Sequence, residues 1–167
     1  MIWVAAFTAL VGCAILGTPP GEANQKVAVR TLWVSTQCGG VGEAPSWVWV
    51  EGSAALAASL QPSPERVPGG SAPDLPEVDF AHERVLRLDM GRQPTAGYAL
   101  GLLTGEAEVT DGLATLRIEW REPEPDRLQA QVVTQPCLVL ALPRGEHGAL
   151  RVLDQAGKER FRAEVPR

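Results

Sequence analysis

From Leu113 to Arg121 apolar and polar residues alternate: Ala114, Leu116, Ile118 and Trp120 fall on one side, Thr115, Arg117, Glu119 and Arg121 on the other. A period of two marks a strand with one face in a core and the other in water. The same period runs through Arg84–Met90, where Leu86, Leu88 and Met90 oppose Val85, Arg87 and Asp89. It returns in Tyr98–Leu103, with Tyr98, Leu100 and Leu102 on one face. Val27–Val34 reads as a first strand, with Val27, Val29, Thr31 and Trp33 aligned, and Trp47–Glu51 as a short second one. Gln129–Thr134 and the wholly apolar Leu138–Leu142 read as strands on either side of Pro136. Leu150–Leu153 and Arg160–Val165 read as a closing hairpin that turns Phe161, Ala163 and Val165 inward.

Between these runs the breakers are plain. Gly105–Gly112 reads as a polar turn region and Glu122–Asp126 as a proline-stiffened connection. Gly52–Leu60 has the alanine and leucine content of a helix, with Ser53 placed to cap it. Gln61–Pro76 holds Pro62, Pro64, Pro68, Pro73 and Pro76 with a Gly69-Gly70 pair, which excludes regular structure. Short strands with turn signals between them predict a mainly β fold, an antiparallel β-sandwich or small barrel with one short helix. The organisation expected is a signal segment over 1–17, a tether over 18–25, an N-terminal β segment with the helix and proline-rich loop over 26–76, and a β domain over 77–167.

One loop is specified beyond what a core needs. Met90–Tyr98, MGRQPTAGY, joins two alternating runs and carries two glycines, one proline and no long aliphatic side chain within it. Gln93 precedes a proline and should be extended, and Gly97 can take a positive φ. Gly91, Pro94 and Gly97 would set the loop's shape, leaving Arg92, Gln93, Thr95 and Tyr98 to contact a partner at low entropy cost. The plainer reading is a corner, with the tyrosine hydroxyl tying the loop to a neighbouring strand.

Charge and cysteines narrow the context. A formal net charge of −5 with no basic stripe argues against a nucleic-acid partner. The first 18 residues carry no charge and are mostly apolar, as an export signal or anchor is. Within them Leu10-Val11-Gly12-Cys13 resembles a lipobox, which makes Cys13 the expected lipidation site and a membrane the expected anchor point. A conventional cleavage near Gly21-Glu22-Ala23 and an uncleaved helix are the other readings. With Cys13 lipidated, Cys38 and Cys137 remain. In an oxidising compartment they can close a loop of about 100 residues; in a reducing one they stay as two thiols.

Enzyme chemistry finds little purchase. His82 and His147 lie in polar segments that read as exposed turns, and no Gly-x-Ser-x-Gly elbow is present. Neither a metal-ligand spacing nor a phosphate-cradling glycine loop occurs, so no metal, cofactor or small-molecule substrate is expected. Glu119 and the acids of Glu122–Asp126 read as solvated edge residues. Trp33, Trp47, Trp49 and Trp120 read as core, although a shared outward face would make a partner groove.

Val78-Asp79-Phe80, Arg84–Asp89, Met90-Gly91 with Pro94-Thr95-Ala96-Gly97-Tyr98, Val133-Thr134-Gln135-Pro136 and Leu138–Pro143 together resemble the PrcB C-terminal domain. Ala96 stands where that family usually has glycine, and Cys137 where an aromatic residue is common. The resemblance covers Trp33–Val152. It implies an exported, often lipid-anchored, non-catalytic β protein that serves as an accessory subunit of a surface protease complex, with another cell-envelope protein as its partner. Pro94–Tyr98 is also similar to the loop that chagasin-type inhibitors insert into cysteine-protease clefts, with Gln93 in place of an asparagine and Leu100 in place of an aromatic residue. That likeness implies an inhibitor, and a structural envelope component is the remaining alternative.

Overall fold

The computed structural model describes residues 25–40, 42–60, 74–145 and 147–166. Cys13 therefore lies outside the described residues, as do most of the proline-rich stretch, the expected signal and all of the expected tether but Gln25, which opens a strand. The chain forms two sheets and one short helix without closing into a barrel, so the β-sandwich expectation holds. One sheet runs β2(Arg30–Ser35), β8(Cys137–Pro143), β4(Glu83–Asp89), β3(Ser46–Val50), all antiparallel. The other runs β1(Gln25–Ala28), β6(Glu106–Thr110), β7(Leu113–Arg121), β9(Ala149–Leu153), β10(Glu159–Glu164), with β5(Ala99–Leu102) paired to the far half of β7. The β7–β9 pair is parallel, the one departure from antiparallel order among these strands. It arises because β8, between them in sequence, lies in the other sheet.

The main core fills the space between the sheets. Leu86, Leu88 and Met90 from the β4 segment and Leu138, Leu140 and Leu142 from β8 meet Ala114, Leu116, Ile118 and Trp120 of β7, with Leu150, Val152, Phe161 and Ala163 behind. A second cluster covers the outer face of the four-stranded sheet, where Leu56 and Leu60 at the α1(Ser53–Ser59) end pack on Val50, Val85 and Val139. Strands β4 and β8 are thus buried on both faces, which is why β8 is an unbroken apolar run instead of an alternating one.

Several local expectations fail for identifiable reasons. Val27–Val34 is two strands, not one: the chain changes sheets at buried Val29, whose amide donates to Gly105 O at 2.8 Å. A register shift between Thr31 and Trp33 then breaks the period, so Leu32 and Trp33 both reach the outer-face cluster. Ser53 is the first helical residue, preceded by Gly52 as N-cap with no side-chain cap. Gly105–Gly112 contains strand β6, and the turn is only Asp111-Gly112, both at positive φ, the geometry of a two-residue hairpin. Gln129–Thr134 is not a strand; only Thr134 pairs, with Gln93. His147 is 4 % exposed, not a surface residue, because Gly145 leaves room for its ring. The tryptophans make no common outward row. Trp49 packs on the inter-sheet core and donates Nε1–H to Glu164 O at 2.8 Å, while Trp33 lies on the opposite side of its sheet.

Candidate functional site

The residues from Gly91 to Tyr98 link β4 in one sheet to β5 in the other, so the loop sits at one end of the sandwich. It is held along both flanks. On one side the Arg92 amide donates to Gly42 O at 3.0 Å, and Gly91 lies against the Glu43–Ala44 backbone. A Cβ at residue 91 would stand 2.5 Å from Glu43 O, and φ there is +79°, so only glycine fits without movement. On the other side Gln93 and Thr134 exchange both backbone hydrogen bonds, at 2.8 and 2.9 Å, and the Ala96 amide donates to Ala130 O at 3.0 Å. The buried Thr134 hydroxyl donates to Thr95 O at 3.0 Å.

This bracing sorts the loop residues. Gln93 turns inward, and its Nε2 donates to Met90 O at 2.9 Å. Tyr98 is half-buried and packs on the inter-sheet core, next to Leu100. Thr95 is half-buried, and Gly97, at φ +102°, closes against Pro123 and the Gln129 side chain. Arg92 and Pro94 remain exposed; Arg92 lies 3.5 Å from Glu43 across open surface, a contact of little energetic worth. The segment supporting the loop adds apolar surface: Leu128, Val132 and Val133 are all exposed. By sequence Gln129–Thr134 reads as a strand, but here Val132 and Val133 are exposed. Only the paired Thr134 and Gln93 distinguish the two arrangements, and that pairing cannot be read from local pattern.

Behind the loop, Cys38 and Cys137, 99 positions apart in sequence, are joined in a disulfide with Cα atoms 6.0 Å apart. Cys137 opens β8, and the Cys38 amide donates to Gln135 O at 2.9 Å. Beside it, under α1, Arg87 and Asp89 form an ion pair, each 5 % exposed. Burial pushes the Asp89 carboxyl above its ordinary value even though Arg87 pulls it down. The remaining Arg87 donors reach Ser59 O at 2.9 Å and Gly39 O at 2.7 Å, so helix end, disulfide loop and strand meet on one guanidinium.

Among the described residues, His82, His147 and Cys38 lie in separate places. His82 is exposed and pairs with Asp79 at 2.7 Å, holding the Asp79 carboxyl below its usual range. His147 lies near the other end of the sandwich, and Cys38 is committed to its disulfide. Among the described residues, no three His, Cys, Asp or Glu side chains gather as a metal site, and no helix is long and apolar enough to cross a membrane.

Residues 85–143 match the family model described as PrcB C-terminal. The match starts in β4 and ends with β8, a narrower span than Trp33–Val152. It contains the whole Gly91–Tyr98 loop and its support at 130–134, but not the Gly42–Ala44 flank. No curated protein and no solved structure matches the chain. Over residues 85–143, then, the chain is similar to the PrcB C-terminal family.

Proposed function

We propose that this protein is a non-catalytic module that binds a protein partner at the cell envelope, as an accessory subunit of a protease complex. The observation that carries the reading is the braced loop. Backbone hydrogen bonds on both flanks hold Gly91–Tyr98 in place, while the Arg92 and Pro94 side chains stay exposed, as do Leu128, Val132 and Val133 of the supporting segment. A surface already held in its bound shape loses little entropy on docking, and a charged group at the rim of an apolar patch suits a protein partner. The family match supports association with a protease complex. Export, and anchoring through a lipid on Cys13, are part of the proposal. A disulfide joining the loop after β2 to the start of β8 fits an oxidising compartment.

The test is capture from native membranes with the mature chain, with intact mass of the recovered bait. A protease that co-purifies, and a mass bearing diacylglycerol on Cys13, support the proposal. Leu128→Asp and Arg92→Glu should each reduce capture by tenfold or more while moving the unfolding midpoint little, since both side chains are exposed. Undiminished capture by both variants would place the interface elsewhere. Stoichiometric slowing of a papain-like protease by the purified protein would favour an inhibitor instead.

A further inference from the structure

Buried side-chain nitrogens lie at the end of the sandwich remote from the loop. Arg84 stands at the start of β4, whereas Gly91–Tyr98 follows its end, about 20 Å away along the strand. Its Nη2 donates to Pro166 O at 2.6 Å, but Nε and Nη1 are buried with no hydrogen-bond partner among the described residues. His147 is 4 % exposed, and its Nε2 is buried and likewise unpartnered. Both residues line a cleft of about 580 Å³, together with Gly145, Gly148, Glu164 and Pro166. Arg144 follows β8 nearby and lines the adjoining cleft on the other side of Arg84, with its Nε donating to Phe80 O at 3.1 Å.

Native proteins rarely leave buried polar nitrogens unpaired, and two such side chains lining one cleft point to a ligand that completes them. The charges agree. Burial lowers the pKa of Arg84 and the neighbouring Arg144 lowers it further, while burial and then Arg84 lower that of His147. An anion would relieve both effects. Of the acids lining the two clefts, Glu164 and Glu51 are exposed, and Glu83 is engaged by Arg30 at 2.7 and 2.9 Å. We propose that Arg84 and His147, with Arg144 beside them, form a binding site for a compact oxyanion, a phosphate group or a carboxylate. Guanidinium and imidazole are the usual partners of both.

The experiment is an NMR titration of the full mature chain with inorganic phosphate, and separately with acetate, at constant ionic strength balanced with sodium chloride. Saturable shifts confined to the Arg84 Nε–H and the His147 ring are expected. Arg84→Gln should weaken binding at least tenfold, and His147→Gln about threefold. Saturation by phosphate alone assigns a phosphate group, and equal saturation by acetate assigns a carboxylate. If Arg84→Gln fails to fold, Arg144→Gln serves in its place, with a severalfold loss expected. Non-saturating shifts with both anions would show these groups to be satisfied within the chain and would overturn the site. Undiminished binding in the folded variants would also overturn it.

Discussion

Arg87 joins three separate parts of the chain on the outer face of the four-stranded sheet, and Asp154 does the same work for a turn. Removing Arg87 leaves Asp89 charged and nearly dry, so Arg87→Leu should cost about 3–5 kcal/mol in urea unfolding. Arg87→Leu with Asp89→Leu should recover part of that. If the double variant is as unstable as the single one, the bonds to Gly39 and Ser59 outweigh the ion pair. Asp154 is buried at the β9–β10 turn, where Oδ1 accepts the Ala156 and Lys158 amides, both at 2.9 Å, and Oδ2 accepts Arg160 Nε–H at 2.8 Å. Burial pushes this carboxyl up, but the Lys158 amide, Arg160 and the Ala156 amide together hold it below its ordinary value of 3.8. A depressed folded pKa contributes stability above the unfolded value and loses it as pH falls through the folded one. Asp154→Asn should therefore cost about 1–2 kcal/mol at pH 7, and the gap to wild type should narrow as pH falls below about 4. Asp89 works with the opposite sign: its raised pKa adds relative stability as pH falls through the folded value. Titrating stability for wild type and each Asp→Asn variant separates the two. From sequence, the placement of Arg87 and Asp89 on one face was legible in the alternation. Their burial was not, because it depends on a helix and a loop from elsewhere in the chain.

The loop between β4 and β5 shows how an element acquires its shape from outside itself. Its glycines and proline mark a turn in any context, but Gly91 is required by the Glu43–Ala44 backbone packed against it. Gly91→Ala should cost about 3 kcal/mol or more, since neither that backbone nor a +79° φ accommodates a Cβ. At Gly97 a Cβ would lie 2.8 Å from Pro123 Cβ and 2.9 Å from the Gln129 side-chain oxygen, and the latter can swing away. Gly97→Ala should thus cost less, roughly 1–2 kcal/mol. Thermal unfolding of the two variants checks the order, and equal losses would mean that φ strain alone decides. The strand at β7 was fully legible because both its faces obey one rule. Segment 129–134 was misread because β-branched residues suit a pleated strand wherever they occur, while pairing decides whether one forms.

At the scale of the molecule, the disulfide ties the loop after β2 to the start of the strand at the centre of its sheet. Cys38→Ala with Cys137→Ala should lower stability by about 2–5 kcal/mol, most of it from freeing a long loop in the unfolded chain. Reductant should destabilise the wild type and leave the double variant unmoved; an equal response would mean the thiols are unlinked in solution. Pairing also crosses the proline-rich stretch: β1, β2 and β3 precede it and each pairs with a strand after it. By itself the sequence determined the strand-rich class, most strand positions, the inward faces of β4, β5, β7 and β10, and the loop as the most specified segment. Those follow from local periodicity and turn chemistry, which neighbouring residues carry between them. The tertiary structure alone decided the change of sheet at Val29, the second buried face of β4 and β8, the bracing of the loop and the meeting of Arg84 with His147. Each of these joins residues far apart in the chain, and packing selects such contacts where no local pattern records them.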